Sequence, residues 1–220
     1  MIIAIDGTSA SGKGTLAKRL QETMDAAYLD TGALYRTVGL MALQQHADIT
    51  SAPEMSALVK QLSPDKLLKW QDNPKIRTQE VAEAASKVAA IPEVRQGLLE
   101  AQRQFAEHPV RVDGSPAKVA VLDGRDIGTV VCPHAQAKIF LSASAEVRAK
   151  RRVKELQEKG KCAIYASVLS EVKARDLRDS TRATAPLVAA KDAFVLDTSD
   201  LTADEVYERV YAYICSLSEN

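Results

Sequence analysis

The 220-residue sequence has few of the residues on which disulfide-bonded and zinc-binding proteins depend. Its three cysteines, Cys132, Cys162 and Cys215, are odd in number and far apart in the chain. Its three histidines do not have the spacing of metal ligands either. The sequence therefore predicts neither a disulfide framework nor a zinc site.

Net charge is also lacking, because 29 Lys and Arg residues balance 29 Asp and Glu residues. No overall field therefore draws the chain towards nucleic acid or a membrane. No apolar run approaches the roughly 20 residues that cross a bilayer, and an apolar strand pattern that begins at Met1 leaves no room for a signal segment. We expect a cytoplasmic monomer of one domain, with neither nucleic-acid nor membrane partners.

The first chemical signature is the segment Gly7–Thr15, with the sequence GTSASGKGT. It connects the apolar run Met1–Ile5 to a helical pattern that starts at Leu16. Its small residues leave backbone N–H groups free to converge on an anion, and the helix N-terminus adds partial positive charge. Lys13 can then reach the outer phosphates of a nucleotide. We interpret the segment as a phosphate-binding P-loop, in which Gly14 stands where the commoner pattern has a Ser or Thr that holds Mg²⁺.

Four further apolar runs have the length and composition of buried strands. They are Ala26–Asp30, Val119–Asp123, Ala137–Leu141 and Ala193–Asp197. Five strands separated by helical patterns predict an α/β fold, with a five-stranded parallel sheet of the P-loop NTPase type covered by helices on both faces. Ligands bind at the carboxyl edge of such a sheet. Asp123 lies there and can organise Mg²⁺, as acids do in P-loop enzymes, although an Asp that only caps a turn is the alternative.

The connection between the second and third strands is long and is interrupted by prolines. It contains short helical pieces, among them Glu54–Val59 and Lys66–Trp70, and then an Ala-rich helical region over Ile76–Arg95 in which Pro92 opens the second part. We expect Trp70 to be a packing residue.

The connection between the fourth and fifth strands is the second long one. It contains a basic helix over Glu146–Gly160 and a charged helix over Glu171–Asp179. Residues 148–182 carry 11 Lys and Arg against five Asp and Glu. A kinase must exclude water so that ATP is not hydrolysed, and the two long connections are therefore predicted to be closing flaps.

Five segments in combination resemble the bacterial cytidylate kinases, over nearly the whole chain. They are the P-loop, DTGALYR at Asp30–Arg36, IRTQEV at Ile76–Val81, DGRDIGTVV at Asp123–Val131 and RDLRDSTR at Arg175–Arg182. The resemblance implies transfer of the γ-phosphoryl group of ATP to CMP or dCMP, with Mg²⁺. It also implies one kinase domain over residues 1–220, with a nucleoside-monophosphate-binding insertion at about 37–110 and a lid at about 148–182.

The resemblance further implies which residues bind each substrate. The residues implied for ATP are Gly7, Thr8, Ser9, Ala10, Ser11, Gly12, Lys13, Gly14 and Thr15, with Arg151 and Arg152 in the lid. The residues implied for CMP are Thr31, Arg36, Ser86, Arg95, Arg125, Asp126, Arg175, Asp179 and Arg182. The residues implied for catalysis are Lys13, Asp123, Arg125 and Arg182. Magnesium would bind mainly through ATP phosphates and water, with Thr15 and Asp123 as the candidate protein ligands.

The residue types of the phosphate and ribose contacts suit their partners. Arg36, Arg125 and Arg182 would surround the phosphate dianion of CMP, because a guanidinium group presents a rigid fork to phosphate oxygens. Arg175 and Asp179 lie one helical turn apart and would hold the ribose from one helix face.

The cytosine contacts follow the same chemistry. Ser86, Arg95 and Asp126 would surround the base, because a carboxylate accepts a hydrogen bond from the exocyclic amine and an arginine donates to N3 and O2. Two segments depart from the family's pattern, since Leu62–Lys75 is shorter than its usual insertion and Pro109–Lys118 is longer than expected. We therefore expect the base-binding flap to close differently.

The residues alone leave other interpretations open. Another small P-loop kinase, for UMP, AMP or a metabolite, would keep the arginines and lose the base contacts. A GTP-hydrolysing switch is disfavoured, because the chain lacks an Asn-Lys-x-Asp motif and Gly14 follows Lys13. Nucleic-acid binding by the basic lid would appear as salt-dependent association. Arg36, Arg151 and Arg152 have the further alternative of being solvated helix residues.

Overall fold

A computed structural model describes residues 1–62, 70–71 and 73–217. Within these residues, five parallel strands form one sheet in the order β2-β3-β1-β4-β5. The strands are β1 (Ile2–Gly7), β2 (Ala27–Asp30), β3 (Ala120–Asp123), β4 (Ala137–Ser142) and β5 (Phe194–Asp197). Each begins or ends within one or two residues of its predicted run, so the predicted α/β fold with a five-stranded parallel sheet is confirmed.

Helices connect the strands and cover both faces of the sheet. The described α-helices are α1 (Lys13–Thr23), α2 (Thr31–Gln44), α3 (Ala52–Lys60), α4 (Gln79–Val88), α5 (Pro92–Glu107), α6 (Ala145–Glu158), α7 (Tyr165–Thr181) and α8 (Ala203–Ser216). A 3₁₀ turn over Pro74–Arg77 precedes α4, and a π turn over Ile127–Val131 follows β3. None of the described helices is long and apolar enough to span a membrane.

The alternation of side chains along β1 divides the core into two layers. Ile3 and Ile5 belong to the layer that α1 and α8 cover, whereas Ala4 belongs to the layer that α2, α3 and α5 cover. Because both faces are buried, the central strands are apolar throughout. The carboxyl edge is left for polar groups, and Asp6 and Asp123 lie there at the ends of β1 and β3.

Local sequence signals set many of the helix ends. The Asp30 carboxylate accepts from the Ala33 amide at 3.1 Å and starts α2 directly at the end of β2. Pro92 lies in the first turn of α5, as predicted. Gly160, with φ of 70°, follows the end of α6, because glycine adopts this left-handed conformation without steric cost.

The first long connection, between β2 and β3, is only partly described. The predicted piece Glu54–Val59 is confirmed as part of α3. Of the predicted piece Lys66–Trp70, residues 66–69 lie outside the described residues. Trp70 packs, partly buried, against a cluster that includes Ile76 and Val81, so its predicted packing role is confirmed.

Helices α6 and α7 form a hairpin with a small core of its own. Ala149 of α6 packs against Val168 and Val172 of α7, in a cluster separate from the two layers of the sheet. The charged helix predicted over Glu171–Asp179 therefore starts earlier, at Tyr165. The prediction missed the first turns because their apolar residues are explained only by contact with α6.

The segment Pro109–Lys118, predicted to be longer than in the family, forms a loop just before β3. Val110 and Pro116 pair as an isolated antiparallel bridge. Arg111 inside this loop donates from Nε to the Asp25 carboxylate at 2.9 Å and also bonds the Ser115 hydroxyl at 3.1 Å. The predicted length difference thus lies in a loop that a single arginine fastens to the residues before β2.

Candidate active site

The P-loop wraps around the start of α1 as its sequence predicts. Gly7 has φ of 145°, and a Cβ atom there would lie 1.9 Å from the Leu141 carbonyl oxygen, so any larger residue would clash with β4. Gly12 has φ of 98° and directly precedes α1, and Ala10 has φ of 59°. The Ser11 hydroxyl donates to the Thr8 carbonyl at 2.9 Å across the loop. The loop is therefore a compact turn that brings backbone amides to the positive end of α1.

Lys13 is folded back into the loop. Its Nζ donates to the Thr8 carbonyl at 2.8 Å, and the residue is 6% exposed. Burial, followed by the nearby charge of Arg125, lowers the pKa of Lys13 to about 7. An anion bound beside Lys13 would favour the charged ammonium group and oppose this shift.

Asp123 lies beside the P-loop at the end of β3. Burial raises its pKa to about 6, against the charge of Lys13, which lowers it. Its backbone carbonyl accepts from the Thr31 hydroxyl at 2.8 Å, and its Oδ2 lies 3.6 Å from where a Cβ on Gly14 would stand. The side chain of Thr15, in the next position, is exposed. The Asp123 carboxylate therefore lies beside the P-loop, and the exposed Thr15 follows in the chain; both side chains carry oxygen donors of the kind that Mg²⁺ prefers.

Three arginines form a group across the carboxyl edge of the sheet from Lys13. This arginine group consists of Arg36, Arg125 and Arg175. The charge of Arg125 contributes, after burial, to lowering the pKa of Lys13, Arg36 and Arg175, and the pKa of Arg175 falls to about 9. Arg36 itself donates only a 3.3 Å bond to the Ile76 carbonyl among the contacts of the described residues. Like charges that lower one another's pKa at this density form a site for a polyanion.

Asp179 of α7 is the main counterion of this group. It accepts from Arg125 Nε at 3.0 Å and lies 3.8 Å from Arg175 Nε. Burial opposes ionisation of the carboxyl group, but the charges of Arg125 and Arg175 outweigh it and lower the pKa of Asp179. Arg175 Nε is buried without a hydrogen-bond partner among the described residues. One carboxylate therefore serves two arginines, and positive charge remains in excess.

A second charged group lies next to it, around Asp126. Asp126 forms an ion pair with Arg95 Nη2, and Arg182 Nη2 lies 3.8 Å from its other oxygen. The guanidinium of Arg95 also lies over the Tyr35 ring, 5.5 Å from the ring centroid. Arg182 Nη2 is buried and has no hydrogen-bond partner within the described part of the chain.

An open cavity of about 310 Å³ borders this second group. It is lined by Tyr35, Arg95, Asp126, Val131 and Ala185, among others. Its lining mixes the charged pair Arg95 and Asp126 and other polar side chains with apolar ones, which suits a flat polar ring.

Ser86 lies on α4 and faces α7. Its hydroxyl accepts from Arg178 Nε at 3.2 Å, and a second contact joins the same helices where Gln79 donates to Glu171 at 2.7 Å. These side-chain contacts connect the two long connections directly to each other.

The two lid arginines predicted for ATP differ in their surroundings. Arg151 donates to the Thr198 hydroxyl at 3.0 Å, and Thr198 donates in turn to the Ser11 carbonyl at 3.0 Å. Arg152 forms an ion pair with Glu155 at 2.7 Å and is close enough to Arg36 to contribute to lowering its pKa. Arg151 thus contacts the support of the P-loop, and Arg152 faces the arginine group.

The structure also identifies site neighbours that the sequence analysis did not. Arg148, 3% exposed, donates to the Ser9 carbonyl at 3.3 Å and to Asp176 at 2.9 Å. Asp6 binds the backbone of the π turn. Tyr28 donates to Asp123 at 3.4 Å. A polar residue inside an apolar strand, such as Asp6, was the available signal, but its partner is too distant in sequence to be found by pattern.

Comparison with known proteins identifies the family of the chain. The family model described as cytidylate kinase matches residues 3–216. A cytidylate kinase of Paramagnetospirillum magneticum is 53% identical over 215 residues, which cover 98% of each chain. One from Rhodospirillum rubrum is 52% identical over 205 residues, which cover 93% of this chain and 92% of the relative.

Among solved structures, an uncharacterized protein from Eubacterium ventriosum shares the fold, with a TM-score of 0.54 and 13% identity over 98% of this chain and 99% of that one. The family model covers the P-loop, the arginine group and the Asp126 group. The chain belongs to the cytidylate kinase family.

Proposed function

We propose that this protein is a nucleoside monophosphate kinase that transfers the γ-phosphoryl group of ATP to CMP or dCMP, giving ADP and CDP or dCDP. The observation that carries the proposal is the set of partly buried arginines at one edge of the sheet, where Arg125 and Arg175 share the Asp179 carboxylate at 3.0 and 3.8 Å and Arg175 Nε has no hydrogen-bond partner among the described residues. A concentration of like charge is stabilised by a polyanion, and the phosphates of two nucleotides supply one. Membership of the cytidylate kinase family supports CMP as the acceptor.

The donor nucleotide binds at the P-loop in this proposal. Residues 7–15 offer backbone amides to its phosphates, and Lys13 exchanges the Thr8 carbonyl for a phosphate oxygen. Because anionic phosphates favour the charged ammonium group, binding raises the pKa of Lys13 from about 7 and keeps the side chain protonated at neutral pH. Arg152 approaches from the lid.

Magnesium fits the oxygen donors at this position. Asp123 and Thr15 would hold it, directly or through water, next to the P-loop. When bound, the ion supplies neutralisation of phosphate charge. The positive charge of Lys13 favours the ionised form of the Asp123 carboxyl group, which is the form that acts as a ligand.

The acceptor phosphate is held by Arg36, Arg125 and Arg182. Arg182 Nη2 is a buried donor without a partner among the described residues, so it is available to donate to an anion. Three guanidinium groups hold the attacking oxygen in line and offset its repulsion from ATP. Arg125 and Arg182 therefore act in catalysis as well as in binding.

The ribose follows this phosphate in the acceptor, and the base lies beyond the ribose. Arg175 and Asp179 contact the ribose hydroxyls, and Arg175 Nε, also buried without a partner among the described residues, is available for that contact. Ser86, Arg95 and Asp126 contact cytosine. Thr31 holds the end of β3 through its bond to the Asp123 carbonyl.

We assign the movements of closure to the two long connections. Residues at about 37–110 would carry the acceptor, and those at about 148–182 would form the lid within one kinase domain over residues 1–220. The separate core of the α6–α7 hairpin supports its movement as a unit. We also propose that the enzyme is cytoplasmic and that it is a monomer. Sedimentation equilibrium tests the oligomeric state.

An ADP-release assay tests the proposal most simply. The purified protein is given ATP and Mg²⁺ with CMP, dCMP, UMP or AMP in turn. Turnover with CMP or dCMP should exceed turnover with UMP or AMP by at least ~10²-fold. Preference for UMP or AMP would indicate a different acceptor, and ADP release without any acceptor would indicate a nucleotide-hydrolysing switch.

A further inference from the structure

Asp6 is a buried carboxylate that connects the P-loop strand to the π turn. It is the last residue before the P-loop glycine, and it is 4% exposed. Its two oxygens accept one hydrogen bond each, Oδ1 from the Ile127 amide and Oδ2 from the Gly128 amide, both at 2.8 Å. Burial removes the Asp6 carboxylate from water, which destabilises its charged form. The two amide hydrogen bonds offset this destabilisation only in part, because the pKa of Asp6 is still raised to about 6.

The two amides belong to the turn that follows the acceptor residues. Arg125 and Asp126 directly precede Ile127, so an anchor at Ile127 and Gly128 fixes where both side chains leave the backbone. The turn closes on itself, because the Val130 and Val131 amides donate to the Asp126 carbonyl at 2.9 and 3.1 Å. Because these hydrogen bonds join the turn to Asp126, a shift of the backbone at Ile127 also shifts Asp126.

The other end of the same turn is held independently. Arg103 of α5 donates to the Val130 carbonyl at 3.1 Å and to the Val131 carbonyl at 3.2 Å. The turn is thus fastened at its start by a carboxylate from β1 and at its end by a guanidinium from α5.

We propose that Asp6 is a positioning residue for the acceptor nucleotide, which fixes Arg125 and Asp126 through the backbone of the π turn, with Arg103 supporting the far end. The inference rests on the proposed function, because it takes Arg125 and Asp126 as contacts of CMP. Asp6 touches neither substrate. Its position also relates the acceptor residues to the P-loop, since Asp6 directly precedes Gly7, the last residue of β1 and the first of the P-loop.

The test is a split in the Michaelis constants of Asp6→Asn. The variant keeps the shape of the side chain but replaces one accepting oxygen with an NH₂ group that opposes a buried amide donor. The KM for CMP should rise about tenfold, whereas the KM for ATP should change less than about twofold. Arg103→Ala should shift the KM for CMP in the same direction by a smaller factor, and the side chain that it removes is exposed.

Thr198→Val is the matched control, because it removes buried hydrogen bonds from the opposite side of β1. The Thr198 hydroxyl donates to the carbonyls of Ser11 and Ser142, both at 3.0 Å, so its loss should raise the KM for ATP and leave that for CMP unchanged. Equal increases in both constants for Asp6→Asn, or no change for CMP, would overturn the inference while the wild-type activity stands. If Asp6→Asn does not fold, an unchanged KM for CMP in Arg103→Ala overturns it. A wild-type protein that does not phosphorylate CMP would instead overturn the proposed function, and the inference with it.

Discussion

The donor half and the acceptor half of the proposed site are built in different ways. The donor half is the P-loop, residues 7–15, and its internal bonds join neighbours, as where Ser11 and Lys13 both donate to the Thr8 carbonyl. The acceptor half comprises the arginine group and the Asp126 group, and its bonds join distant elements, as where Arg125 of the segment after β3 pairs with Asp179 of α7.

This difference separates chemistry from substrate choice. A contiguous loop binds phosphates through its backbone amides. Because every nucleotide presents phosphates, such a loop cannot distinguish one nucleotide from another. Charged side chains from several elements can be aligned with a particular base and sugar only when those elements come together. Substitutions in the donor half should therefore abolish turnover. In the acceptor half, substitutions of the phosphate-binding arginines should weaken all acceptors alike, and only substitutions of the base contacts should change which monophosphate is used.

Replacement of Lys13 should have the largest effect. Lys13→Ala is expected to lower kcat by at least ~10²-fold, because one preorganised charge on the transferring group is lost. The ADP-release assay measures this, and circular dichroism confirms that the variant is folded. Lys18→Ala, on the exposed face of the same helix, is the matched control and should keep full activity. A folded Lys13→Ala protein with undiminished activity would contradict the P-loop assignment.

Replacement of Arg125 should affect all acceptors alike. Arg125→Ala is expected to lower kcat/KM by about 10- to 10²-fold for both CMP and UMP, since it addresses the phosphate that they share. Steady-state kinetics with the two acceptors measure the ratio. Arg19→Ala removes an arginine that pairs with Asp204 on the surface and should leave both values unchanged. An Arg125→Ala enzyme that discriminates less between the two bases would mean that Arg125 contacts the base.

The pH dependence of stability should reveal the buried charge of Lys13. Between its folded pKa of about 7 and its unfolded value of 10.5, the unfolded chain binds more protons than the folded one, so this residue makes the free energy of unfolding rise with pH. Relative to Lys13→Met, the nucleotide-free wild type should therefore gain stability between pH 7 and pH 9. Urea denaturation at each pH measures it. A difference that is flat or falls with pH would show that Lys13 is not desolvated as described.

Closure should produce the smallest effect, a several-fold slowing of hydrogen exchange. Residues 148–182 and 37–95 should exchange more slowly when CMP and an unreactive ATP analogue are both bound, because the two connections close over the site. Helix α8 lies on the layer of the sheet away from the acceptor and serves as the internal control. Equal exchange with and without ligands would argue for an enzyme that is already closed.

The sheet and the donor half could be predicted from the sequence because their signals are local. An apolar run such as Val119–Asp123 can hardly be anything but a buried strand, and β3 occupies Ala120–Asp123. The P-loop needs only its own small residues and the helix that follows. Each of these interpretations used fewer than about 15 consecutive residues.

The acceptor half and the supports of the site depended on contacts that no local pattern contains. Asp6 bonds an amide 121 residues away, and Arg148 bonds the Ser9 carbonyl 139 residues away. The early start of α7 likewise depends on the packing of Val168 against α6. The nine residues implied for CMP came from family resemblance, and their contacts with substrate stay predictions.

The ratio of kcat/KM for CMP to that for UMP, measured in the wild type and in Asp126→Asn, tests the central claim most directly. The Asp126 carboxylate accepts from the exocyclic amine of cytosine but repels the O4 carbonyl of uracil, so the wild-type ratio should be at least ~10². An amide at this position can donate to O4, and the variant should lose much of its CMP activity while the ratio falls towards one. If Asp126→Asn instead lowers both values by the same factor, Asp126 does not read the base, and the proposed division between a donor half and a base-selecting acceptor half is wrong.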